Sequence, residues 1–119
     1  MKSFKDNDII IGIETSCDDT CVSAIRVKKE NKETPSFEVI SNIVSSQIKI
    51  HKKWGGIYPT LAIREHQKKL PIIFNKVLKE IKEIKDVKKI AITTGPGLDP
   101  CLWTGINFSK NISKKNKRN

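Results

Sequence analysis

Three apolar segments of strand length follow one another along the chain, and one long helical stripe then separates them from a fourth. That order constrains the fold more than any single motif. "IIIGIET" is bounded by polar residues, "CVSAIRV" follows it closely, and "FEVISNIV" comes after the charged, proline-marked loop "KKENKETPS". Three strands with short connections predict a meander in one sheet. From "SSQIKIHKKWGGIYP" the pattern loosens, with Gly55 and Gly56 marking a turn. Pro59 and Thr60 then read as a helix entry with Thr60 as the cap. Ile63, Leu70, Ile73, Phe74, Val77, Ile81 and Ile84 recur at three- to four-residue spacing among lysines and glutamates. This is an amphipathic helix with one face on a sheet, and Pro71 should bend or restart it. "VKKIAITT" is the fourth strand, and a short helix is expected from Ile106, fading beyond Ile112.

With 119 residues and 37% hydrophobic content, the expectation is one domain with a modest core. The formal charge of +10 attracts polyanions such as RNA, although lysine, isoleucine and asparagine recur throughout as a general compositional tilt. Cys17, Cys21 and Cys101 make an odd number, no secretory leader precedes them, and Ile9–Ile13 is too short to span a membrane. A reducing, cytoplasmic setting is the reading. Cys17 and Cys21 lack zinc-site spacing and are expected to be small buried residues. His51 and His66 form no H-x-x-x-H pair and are expected at the surface or as caps. Trp54 is either a stacking platform for a base or the plug of its loop. No serine, histidine and acid set suggests a hydrolytic triad.

Two loops stand where α/β proteins hold ligands, at strand ends followed by tight turns. In "TSCDDT", Thr15, Ser16 and Thr20 offer hydroxyls and the turn offers backbone N–H groups to a phosphate. Asp18 or Asp19 could hold Mg²⁺, a hard cation that prefers oxygen. The alternative is an ordinary surface hairpin, where aspartates are common. In "TTGPGLDPCLWTG", Gly95, Gly97 and Gly105 permit close backbone approach to a ligand or to an opposing element. Neither of the two commonest phosphate-loop patterns is present.

"IGIETSCDDT", "SNIVSSQIKIHKKWGGIYPTLAIREHQKKLP" and "ITTGPGLDPCLWTGINFSK" together resemble the start of the tRNA threonylcarbamoyladenosine transferases, formerly called O-sialoglycoprotein endopeptidases or glycoproteases. The resemblance runs from Ile9 to Lys110 with the three blocks in the family's order. It implies an α/β fold: one ribonuclease-H-like lobe of the actin, sugar kinase and heat-shock ATPase superfamily, in the order βββαβα. On that basis residues 1–8 are a polar leader, 9–112 an incomplete N-terminal lobe and 113–119 a basic disordered tail.

The reaction implied is transfer of threonylcarbamoyl from threonylcarbamoyl-adenylate to N6 of the adenosine beside the anticodon of tRNA. By the same resemblance Asp18 and Asp19 support catalysis around the phosphates, and Thr15, Ser16, Thr20, Gly95 and Gly97 face phosphate or nucleotide. Glutamate is common where Asp19 stands, and Asp99 falls where a small or apolar residue is expected. Glu65 and His66 match an "REH" block, read as local architecture between loop and sheet. A divalent metal (iron, zinc or magnesium) belongs to the family through an H-x-x-x-H motif that this sequence lacks. The expectation is an N-terminal piece, inactive alone, that works with tRNA, a paralogous partner protein of bacterial type and a second lobe. A non-catalytic lobe or remnant binding a partner or tRNA is the alternative.

Overall fold

The computed structural model describes residues 4–29, 34–53, 55–56, 58–82 and 87–115. Trp54 and Ile84 lie outside the described residues, as do the last four positions of the basic tail. The chain runs β1 (Ile9–Glu14), β2 (Asp19–Lys28), β3 (Ser36–Ser46), α1 (Ile48–Lys52), α2 (Pro59–Glu80), β4 (Val87–Ile92) and α3 (Asp99–Lys115). The four strands form one sheet in the order β3-β2-β1-β4. β1 and β2 pair antiparallel, as do β2 and β3, whereas β4 lies parallel to β1. The α/β class and the βββαβα order expected from the sequence are therefore present, with the short α1 as an addition. None of the described helices is long and apolar enough to cross a membrane.

Period-two alternation places Ile9, Ile11 and Ile13 of β1 on one face with Val22 and Ala24 of β2, all at most 2% exposed. α2 lays its stripe of Leu70, Ile73, Phe74 and Val77 on that face, and Ile81, just past its end, extends the same core. α3 packs against α2 on the same side, where Phe74 and Phe108 meet edge to face at 5.3 Å between ring centroids. On the edge strand β3, by contrast, Phe37, Val39 and Val44 are exposed.

Several boundaries differ from the sequence expectation. α2 starts at Pro59, with Tyr58 at the cap position and no side-chain cap bond, so Thr60 is not the cap. Proline in the first turn needs no amide partner and already has a helical φ. Pro71 neither ends nor restarts the helix, which runs on through it with the proline on the exposed side. α3 begins at Asp99 rather than Ile106 and continues to Lys115, three residues into the expected tail. Asp99 in its first turn is favourably placed against the positive end of the helix dipole. The leader is also partly structured: the Asn7 N–H donates to the Val27 carbonyl at 2.7 Å, and the Val27 N–H donates to Asp8 at 2.8 Å.

Candidate functional site

Parallel pairing brings the C-terminal ends of β1 and β4 to the same edge of the sheet. The two turns singled out in the sequence leave from those ends, Thr15–Asp18 from β1 and Gly95–Gly97 from β4. They form one connected rim. The Leu98 N–H donates to the Ser16 carbonyl at 2.8 Å, and the Thr15 hydroxyl donates to the Cys101 carbonyl at 2.7 Å.

Glycine is required at two contacts of this rim. A Cβ on Gly97 would lie 2.6 Å from the Ser16 carbonyl oxygen, and one on Gly105 would lie 2.5 Å from the Thr15 hydroxyl. Gly105 therefore sits inside α3 as the notch that receives Thr15, and is not part of a turn. Gly95 differs: a Cβ there would meet nothing within 4 Å, and its peptide bond to Pro96 is cis.

The first turn is tied to the rest of the lobe on its other side. The Ser16 N–H donates to Glu14 Oε1 at 2.5 Å, and the Asp18 carbonyl accepts the Gln47 N–H at 3.1 Å ahead of α1. His66, from the middle of α2, reaches the turn with both ring nitrogens. Nε2 is 2.9 Å from the Cys17 carbonyl and Nδ1 is 2.8 Å from the Thr20 hydroxyl. A carbonyl only accepts, so Nε2 carries the proton and Nδ1 accepts from Thr20.

A second buried histidine works alike. His51 Nδ1 accepts the Tyr58 N–H at 3.1 Å, which leaves Nε2 to donate to Gln47 Oε1 at 2.6 Å. Both histidines are thus buried, contrary to the surface or capping placement expected of them, although His51 does receive the amide that starts α2. The sequence carried one signal for His66, its place in the "REH" block.

The candidate residues fall into two groups. Thr15 and Thr20 are fully buried and their hydroxyls are committed to internal partners. Ser16, Asp18 and Asp19 are partly exposed at the rim, and Gly95 and Gly97 are exposed beside them. Asp19 Oδ1 is a buried carboxylate oxygen with no hydrogen-bond partner among the described residues.

The rim is electronegative. Burial, then Asp18, raises the Cys17 thiol pKa, while burial followed by Asp19, Glu14 and Asp18 pushes Cys21 up to about 11. Burial, then Cys17, raises Cys101 as well. All three cysteines are free, and at neutral pH they are thiols, poor nucleophiles and poor metal ligands. Cys17 and Cys21 are only partly buried, so the expectation of two buried residues fits Cys101 instead.

His66 is held below its ordinary value of 6.5 by burial, against the opposing pull of the Cys17 carbonyl, Glu14, Asp18 and Asp19. The unfolded chain therefore takes up this proton at a higher pH than the folded one. Stability is complete above about pH 6.5 and falls on acidification until the depressed folded value is passed. Urea denaturation between pH 7.5 and 5 should show a falling midpoint, and His66→Gln should flatten the slope. An unchanged slope in that variant would assign the effect elsewhere.

A family model described as tRNA N6-adenosine threonylcarbamoyltransferase matches residues 38–119. Relatives carrying that name include proteins of Fervidobacterium nodosum (42% identical over 92% of this chain) and Persephonella marina (48% over 87%). One from Bacillus anthracis is 39% identical over 90% of the chain. These alignments cover 30%, 28% and 29% of the respective relatives, so the chain spans less than a third of their length. With more than two thirds of its residues matched by the family model, the chain belongs to the tRNA N6-adenosine threonylcarbamoyltransferase family.

Proposed function

We propose that this chain supplies the N-terminal wall of a threonylcarbamoyl transfer site, where threonylcarbamoyl passes from its adenylate to N6 of an adenosine in tRNA. The observation that carries this reading is the joining of the two turns into one rim at the C-terminal ends of parallel β1 and β4. Open α/β sheets hold ligands in such crevices.

The division of labour follows from which groups are free to meet a ligand. Thr15 and Thr20 act indirectly, since their hydroxyls fix the turn from inside. Ser16 and the backbone around Gly95 and Gly97 are the groups that can approach a phosphate. A bare carboxylate repels phosphate, so Asp18 and Asp19 serve as acceptors for donor groups, such as ribose hydroxyls or the incoming amine.

The divalent metal expected of the family does not fit here. Among the described residues no group of three or more histidine, cysteine or acidic side chains could hold an ion, and both histidines are internally committed. A metal-holding second lobe, joined to this one or supplied separately, is part of the proposal, and this lobe alone is inactive in it.

The test is a reconstitution with a second lobe carrying H-x-x-x-H, substrate tRNA and threonylcarbamoyl-adenylate. Transfer should require both pieces. Asp18→Asn should lower it by about ten- to a hundredfold, the scale of one hydrogen bond to a charged group, with no change in melting. Full transfer with Asp18→Asn, or association of the pieces without any transfer, would overturn the reading.

A second reading, a lobe that binds a partner protein, is favoured by the groove of about 420 Å³ between α2 and α3. Ile63, Leu70 and Phe108 line it, with the exposed Trp103. Association without transfer would support this second reading.

A further inference from the structure

We infer that His66 is a positioning residue for the acidic turn, holding the Cys17 carbonyl before Asp18–Asp19 and the Thr20 hydroxyl after it in one geometry from the middle of α2. Its relevance to catalysis rests on the proposed function; its effect on the turn does not.

The geometry is specific. Cys17 precedes the acidic pair and Thr20 follows it, and the two ring nitrogens of one imidazole reach one group on each side, at 2.9 and 2.8 Å. No other described side chain bonds to the turn from both ends; Glu14 reaches only Ser16, and Gln47 holds Asp18 through its backbone amide. His66 is fully buried and α2 is continuous through it, so the imidazole cannot swing away without leaving the buried Thr20 hydroxyl and the part-buried Cys17 carbonyl without this partner.

Its neighbours on α2 one turn before and one turn after, Ile63 and Leu70, belong to the wall of the groove facing α3. The same helix that positions the acidic turn therefore presents the outer groove. A shift of α2 against the sheet would reach the carboxylates through this one side chain.

The arrangement requires the neutral Nε2–H tautomer, and that requirement can be checked without any substitution. Nitrogen-15 spectra of the imidazole at neutral pH should show a protonated Nε2 and a bare Nδ1. The opposite tautomer or a charged ring would overturn the assignment.

Substitutions then separate positioning from general stability. Glutamine places an amide N–H where Nε2 stands and can still donate to Cys17, whereas asparagine is too short to reach it. Amide hydrogen exchange of the intact chain should rise about tenfold at Cys17–Thr20 in His66→Asn and return to within about threefold of the parent in His66→Gln, the scale of one buried hydrogen bond. The amides of β1, and those of β2 beyond Thr20, should stay unchanged in both.

Equal acceleration of turn and strands would make His66 an ordinary core residue and overturn the proposal, as would no acceleration in His66→Asn. If exchange behaves as expected but Asp18→Asn leaves transfer intact, the positioning role stands and the proposed function falls.

Discussion

Phe74→Ala is expected to remove about 3–5 kcal/mol of folding free energy, the usual range for emptying a buried aromatic site. The side chain is 5% exposed and belongs to the core cluster that includes Ile11, Ile13 and Val22. It also supplies the edge-to-face partner of Phe108, so its loss weakens the seam that holds α3 to α2. Small domains have about 5–15 kcal/mol in total, and such a loss leaves a substantial unfolded population at physiological temperature. Phe74→Leu should cost much less, because it restores most of the volume. Urea denaturation of the three proteins checks the order. A loss below about 1.5 kcal/mol for the alanine variant would mean that the site collapses around the cavity and that α3 docks without it.

The parts of this fold that could be read from the sequence are those whose pattern is local. Ile9, Ile11 and Ile13 alternate because one face of β1 is buried, and that alternation is visible in six residues. The stripe of α2 is visible for the same reason, with the helical period. What could not be read depends on contacts between distant residues. Gly105 looked like a turn glycine, yet it lies inside α3 and has no room for a side chain because a threonine ninety positions earlier fills the space beside it. Thr60 looked like a cap, yet the start of α2 is served by His51, whose Nδ1 accepts the Tyr58 amide.

The site divides in the same way. Its two turns were legible as strand ends followed by glycine and acidic residues. Their union into one rim was not, because it depends on β4 lying parallel beside β1. The histidines were misplaced because polarity argues for the surface until partners are known. Those of His66 lie 46 and 49 positions away. Thr15 and Thr20 look alike in the sequence to hydroxyls that meet a ligand. Only their internal partners, Cys101 and His66, show that they brace the turn.

Gly105→Ala sets two effects of opposite sign against each other, and the rim decides which prevails. In an exposed helix interior this exchange stabilises by about 1 kcal/mol, since alanine gives up less backbone freedom on folding. Here the new methyl would stand 2.5 Å from Thr15 Oγ1 and 2.9 Å from Ile92 Cδ1. Ile92 can yield at its chain end, but Thr15 is fully buried and held by its bond to the Cys101 carbonyl. Relief requires either that α3 lift off the strand ends or that Thr15 rotate and strand its hydroxyl. Overpacking costs about 1–3 kcal/mol and an unpaired buried hydroxyl about as much again. The net expectation is a loss of about 1–5 kcal/mol once the helix gain is subtracted. Pairing the change with Thr15→Ala supplies the control, because that substitution vacates the space the new methyl needs. The double variant should be more stable than the sum of the single losses by about 2 kcal/mol, a coupling of the size seen for residues in direct contact. A Gly105→Ala protein that melts above the parent would show that α3 tolerates displacement, and the rim would then be a looser joint than its bonds imply.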